Sequence, residues 1–192
     1  MPSMSRYDET MSTRDDESNE STPRLQVQVS VGDVLDHAAD VLISTANPWL
    51  NMSGGVNGTI LARNGQCIQA ELRDYLARKG RKAVEAGTVV RTGAGTLPFQ
   101  YILHAVAIDP FYDSDVELVR RTIRSCFQTA QSLGARTLSM PTLATGYGPL
   151  SVDLFAEAMA PLMTEDFSPL KYVQIVVRSD DAVATLRDTL ET

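Results

Sequence analysis

Several residue types are scarce in this chain: among 192 residues there are two cysteines, two histidines and one tryptophan. Cys67 and Cys126 stand far apart without CxxC or Cys/His spacing, which argues against a disulfide framework or a structural zinc site and leaves two free core thiols as the expectation. No apolar run approaches the roughly 18 to 20 residues of a membrane-spanning helix. The N-terminus lacks the basic segment followed by an apolar one that marks a secretory signal, so a cytoplasmic protein with no membrane partner is expected. Positive charge is also short, with 17 Lys and Arg against 24 Asp and Glu and a formal net charge of −7. Nucleic-acid affinity rests on clustered Lys and Arg, and no such stripe is present. Direct DNA binding is therefore not expected, and any phosphate ligand has to be held by other means.

With 43% hydrophobic and 21% charged residues the chain has the composition of an ordinary globular domain. Residues 1–23 differ from the rest: Arg6 and Arg14 stand against Asp8, Glu9, Asp15, Asp16, Glu17 and Glu20, with no apolar periodicity. Such a segment buries too little surface to offset the entropy of ordering it, so 1–23 reads as a disordered acidic tail and 24–192 as one domain. From Arg24 onward, strand and helix patterns alternate. Leu25, Val27, Val29 and Val31 alternate with polar residues, the pattern of a strand near a sheet edge with one buried face. Val41-Leu42-Ile43, Tyr101 to Val106, and Tyr172 to Val177 are apolar on both faces, as central strands covered by helices are. Further strands are expected at 88–92 and 137–140. Val116, Val119, Ile123, Phe127, Ala130 and Leu133 form a helical stripe closed by Gly134. Other helices are expected to begin near Gly58, near Gln69, at Ser151 and after Ser179, with the two serines as N-caps.

The informative stretch runs from Asp40 to Ile60. A buried strand ends in small polar residues, a short loop carries Gly54-Gly55, and a helix follows. Adjacent glycines let backbone N–H groups approach a phosphate, and a helix N-terminus adds favourable partial charge. A second loop of this kind, Pro141 to Leu150, follows the strand at 137–140 and again precedes a helix. Neither loop contains Lys or Arg, and neither is a Walker A or GxGxxG motif. Together they suggest a diphosphate held by backbone amides, the alternative for each loop being an ordinary tight turn.

In order along the chain, Gly32-Asp33-Val34, then Ser44-Thr45-Ala46-Asn47 with Gly54 to Gly58, then Gly87 to Thr92 with Gly95-Thr96-Leu97-Pro98, then Ile102 to Val106, then Thr145-Gly146-Tyr147-Gly148 resemble the segments of the macro domain, a family that binds ADP-ribose and its derivatives. The resemblance runs from about Val27 to the end of the chain. It implies a three-layer α/β/α sandwich with a mixed, mostly parallel sheet of six or seven strands and a cleft at the carboxyl ends of the central strands. By the same resemblance Asp33 accepts from the adenine amino group and the Val34 N–H donates to the ring, while Asn47 reaches the distal ribose. Gly54, Gly55 and Val56 form the first diphosphate loop. Ala144, Thr145, Gly146 and Tyr147 form the second, with Tyr147 over the distal ribose. Arg178 falls where a group often lies against the adenine face. Read from the residues alone, Asp33 is a turn residue capping a strand end, Asn47 braces a loop, and Arg178 is a solvated cation. Trp49 and Met52 either shape the loop near the ribose or pack locally. His104 sits inside an apolar strand and belongs to the strand, and His37 has no partner within a recognisable motif.

Departures from the pattern bear on activity. In the branch that hydrolyses ADP-ribosyl esters an Asp stands where this chain has Asn57, and an amide serves neither as general base nor as negative charge. Ser44 replaces an Asn, while Ser53 and Ala107 replace glycines. The resemblance thus implies an ADP-ribose-binding module for free ADP-ribose or ADP-ribosylated proteins, needing no cofactor or metal. The alternative is an ADP-ribosyl-ester hydrolase or O-acetyl-ADP-ribose deacetylase with Asn47 and Asn57 as the candidate catalytic residues. A domain that has lost its ligand is a third possibility, opposed by Asp33, Asn47 and the paired glycines.

Overall fold

The structure is a computed structural model that describes residues 25–190; the acidic segment 1–23 and Arg24 lie outside the described residues. Six strands form one sheet: β1 (Gln26–Val31), β2 (Val41–Thr45), β3 (Val89–Gly93), β4 (Tyr101–Ala105), β5 (Thr137–Met140) and β6 (Tyr172–Val177). Their order is β1-β6-β5-β2-β4-β3. Every neighbouring pair is parallel except β3 with β4. Five strands therefore end at one edge of the sheet, where a ligand cleft is expected in an open α/β layer.

Helices cover both faces. On one side α3 (Val116–Ser132), α4 (Val152–Met159) and α5 (Asp180–Leu190) place Phe127, Phe155 and Leu186 on Val41, Ile43, Leu103 and Ile175. On the other, α1 (Gly55–Asn64) and α2 (Gln66–Arg78) set Ile60, Ile68 and Leu72 on Leu42, Val90 and Ile102. Alternate residues of β2 thus enter opposite cores, which is why that strand is apolar throughout. β1 buries Val29 and leaves Gln26, Gln28 and also Val31 exposed, in keeping with its place at the edge.

Both helices after the glycine pair start about a turn earlier than the periodicity suggests. Residues of a first helical turn donate no intrahelical bond, so Gly55 loses little by standing there. The α2 start also corrects the expectation for Cys67. This residue is exposed, whereas Ile68 and Leu72 face the core. Cys126 is buried, and burial pushes its thiol pKa up. Asp115, unread in the sequence, caps α3 by accepting from the Leu118 N–H at 2.6 Å. Ser179 Oγ accepts from the Ala182 N–H at 3.3 Å. Ser151 occupies the N-cap position of α4 but makes no side-chain cap bond. No helix among the described residues is long and apolar enough to cross a membrane.

Candidate ligand site

A cavity of about 710 Å³ opens where β1, β2, β4, β5 and β6 end. That volume is in the range of sites for nucleotide-sized molecules. Gly32, Val34, Val176, Val177 and Arg178 wall one end, and Ala105, Ala107, Ile108 and Tyr112 the other. Between them lie the two glycine-containing loops. Among the described residues, Arg178 is the one charged residue of the wall, which contains no Asp, Glu, His, Cys or Lys.

The first loop is held by polar contacts that its sequence does not advertise. Asn47 Oδ1 accepts from the Asn51 N–H at 3.2 Å and its Nδ2 donates to the Asn51 carbonyl at 3.0 Å. From α2, the buried Gln69 accepts from the Met52 N–H at 2.8 Å and donates to the Leu50 carbonyl at 3.1 Å. Leu50 is buried at a left-handed φ of 52°, a conformation that costs a non-glycine residue roughly 1 kcal/mol and that the Gln69 clamp and core packing hold in place. The chain then reaches Gly54, also left-handed, where a Cβ would meet the Tyr147 hydroxyl at 2.8 Å. The φ of 71° favours glycine there, and a Cβ would push the Tyr147 ring of the second loop aside from the first. Among the described residues no side chain caps α1, and the Gly58 N–H donates to the Gly54 carbonyl at 2.8 Å. The amides ahead of it at Gly55, Val56 and Asn57 are the ready-made anion donors of a helix N-terminus. Across the cleft, Ala144 takes a left-handed φ of 58°, and the Thr142 and Thr145 hydroxyls meet at 2.6 Å.

The structure gathers Val34, Asn47, Gly54, Gly55, Val56, Asn57, Ala144, Thr145, Gly146 and Tyr147 around this cavity, together with Arg178, Ser53 and Ala107. Asp33 stands between the wall residues Gly32 and Val34, where its Oδ1 accepts from the Leu35 N–H at 3.0 Å, capping the 3-10 turn Val34–Asp36, and its Oδ2 pairs with Arg63 at 3.1 Å. Asn47 makes the loop brace. Met52 is buried, whereas Trp49 is exposed and meets the Tyr112 ring at 6.5 Å between centroids. Gln69, Arg63 and Tyr112 escaped the sequence reading, because nothing in their own segments marks a contact made so far along the chain.

Asn57 is buried, and both ends of its amide are used. Ser44 Oγ donates to Asn57 Oδ1 at 2.6 Å, and Asn57 Nδ2 donates to the Thr45 carbonyl at 2.6 Å. The carbonyl fixes the orientation, since it accepts only. Ser44 and Asn57, both departures from the hydrolytic pattern, are thus one hydrogen-bonded unit that ties α1 to the end of β2. His104 is fully buried in β4, away from the cavity wall, with Nε2 3.0 Å from Thr92 Oγ1. Since that hydroxyl donates to the Gly93 carbonyl, Nε2 carries the proton and Nδ1 has no partner. Burial lowers the His104 pKa to about 4.

Comparison with known proteins agrees with this architecture. Residues 43–159 match the family model described as Macro domain. A macro domain-containing protein of Streptomyces griseus is 30% identical over 168 residues, which cover 85% of this chain and 94% of that relative. An O-acetyl-ADP-ribose deacetylase of Pantoea vagans is 35% identical over 127 residues, 64% of this chain and 72% of that relative. Among solved structures, a Trypanosoma brucei macrodomain in complex with ADP-ribose superposes with a TM-score of 0.72 at 22% identity, covering 84% of this chain and 68% of that one. With its five-strand edge, its paired loops and more than half its length matched by the family model, the chain belongs to the macro domain family.

Proposed function

We propose that this protein is a binding module for ADP-ribose, free or carried on another protein, and that 24–192 is its binding unit. The observation that carries this reading is the cradle of uncapped amides at Gly55, Val56 and Asn57 facing the 141–148 loop, in a cavity whose wall holds no anionic side chain. The diphosphate fits between the loops. The slot between Val34 and Val176, with the Arg178 guanidinium beside it, suits a purine face. The remaining ribose then lies toward Asn47 and Tyr147.

The Pantoea vagans relative's name raises a hydrolase as the second reading. The cavity wall supports binding over turnover, because it presents no carboxylate, imidazole or thiol to act as a base, and the Asn57 amide is committed to Ser44 and Thr45. Calorimetric titration with ADP-ribose, then overnight incubation with a glutamate-linked ADP-ribosylated protein, tests both. Saturable binding with negligible release is expected. Gly55→Glu should lose binding, since a Cβ there enters open space and the side chain would bring a second anion into the cradle. Normal binding by that variant would place the phosphates elsewhere, and brisk release by the wild type would put the hydrolase first.

A further inference from the structure

We propose that Trp49, Phe111 and Tyr112 form a docking rim for the polypeptide that carries the ADP-ribose, and that this rim favours a carrier with Lys or Arg beside the modified residue. The inference rests on the ADP-ribose reading and adds the identity of the carrier. Phe111 is 84% exposed, the most of any large apolar side chain among the described residues, and Trp49 and Tyr112 are also open to solvent. Exposed large apolar groups standing together mark interaction surfaces, and Trp49 and Tyr112 are within ring contact of each other.

Their position in the fold gives the direction. The strand order sets β1 and β6 at the purine end of the cavity and β4 at the other, with the phosphate loops between. The segment after β4 that carries Phe111 and Tyr112 therefore stands at the distal-ribose end, where the bond to a carrier leaves the site. The turn is closed on itself: Asp109 Oδ1 accepts from the Phe111 and Asp113 N–H groups, each at 2.8 Å, and the Asp109 N–H donates to the Asp113 carbonyl at 2.9 Å. The turn that carries Phe111 and Tyr112 is thus fixed, with Tyr112 at the cavity wall and Phe111 open to solvent.

Charge selects the occupant. Asp109 and Asp113 close the turn of this rim, and no Lys or Arg occurs between Arg91 and Arg120. On the Trp49 side, the Val84 N–H donates to the Pro48 carbonyl at 2.8 Å, and Arg81, three residues before Val84, is paired with Glu85 at 3.2 Å. Aromatic faces edged by carboxylates attract cationic side chains, whereas a continuing ADP-ribose polymer would bring two phosphates per unit toward the aspartates.

The test compares free ADP-ribose with peptides bearing one ADP-ribose through a non-hydrolysable linkage, flanked by Arg and Lys or by Glu, and with a short ADP-ribose polymer. The basic peptide should bind about tenfold tighter than free ADP-ribose and tighter than the acidic peptide. Phe111→Ser and Trp49→Ala should remove this advantage while leaving the affinity for free ADP-ribose within about twofold. Asp113→Lys should weaken the basic peptide alone. Equal affinity for basic peptide, acidic peptide and free ADP-ribose would overturn the rim, as would tighter binding of the polymer. Failure of the wild type to bind free ADP-ribose would instead overturn the function on which the rim depends.

Discussion

Asn57 shows what an amide does that a carboxylate of the same shape does not. Its nitrogen donates to the Thr45 carbonyl, so Asn57→Asp turns an attraction into an oxygen-oxygen repulsion in a buried place. The loss should be about 1 to 3 kcal/mol of stability or more, read as a lower melting temperature. An unchanged melting temperature would remove the clamp. Asp33→Ala should cost about 0.5 to 2 kcal/mol through loss of the cap on Leu35, measured by urea unfolding. Asp33→Asn, which keeps an acceptor, should lose much less. Single residues were legible in the sequence where they act on their own backbone. Gly54 and Gly55 announced a loop, whereas the Ser44–Asn57 bond and the Arg63–Asp33 pair depend on the angle at which α1 leaves the sheet.

At the scale of elements, α2 sets the shape of the loop between β2 and α1 through one side chain. Gln69→Leu leaves the Met52 N–H and the Leu50 carbonyl unpaired in the core, a cost of about 1 to 3 kcal/mol for each. Affinity for ADP-ribose should fall with stability, because Gly54 and the start of α1 lose their anchor; calorimetry and thermal melting on the same preparation check both. Full affinity in a destabilised variant would separate the clamp from the site. The central strands were legible because their apolar runs are short and covered on both faces, and so was α3, with its long single stripe. The start of α1 was not. Helical periodicity cannot register a first turn made of Gly55, a half-buried Val56 and a buried but polar Asn57, and cap and loop chemistry decide it instead.

For the whole molecule, the acidic balance and the absence of cationic phosphate ligands were readable at once, whereas the cavity exists only through the strand order. The buried His104 gives the molecule an acid sensitivity. Its folded pKa of about 4 lies below the ordinary 6.5, so between these values the unfolded chain binds a proton that the folded one refuses. Stability should therefore fall as pH drops from 6.5 toward 4, by up to about 1.4 kcal/mol per pH unit from this group. Urea midpoints at pH 7 and pH 5 should diverge less in His104→Gln than in the wild type; an equal divergence would assign the effect to carboxylates. The strand order also carries a consequence for synthesis. Among the described residues β1 pairs in the sheet with β6 alone, the last of the six strands. On the ribosome β1 must wait for that neighbour until β6 has emerged, and the Val34 and Val176 end of the cavity closes only then. A nascent chain stalled before Tyr172 should not be retained on ADP-ribose resin, so that the ability to bind appears as a late and abrupt event in the life of each molecule.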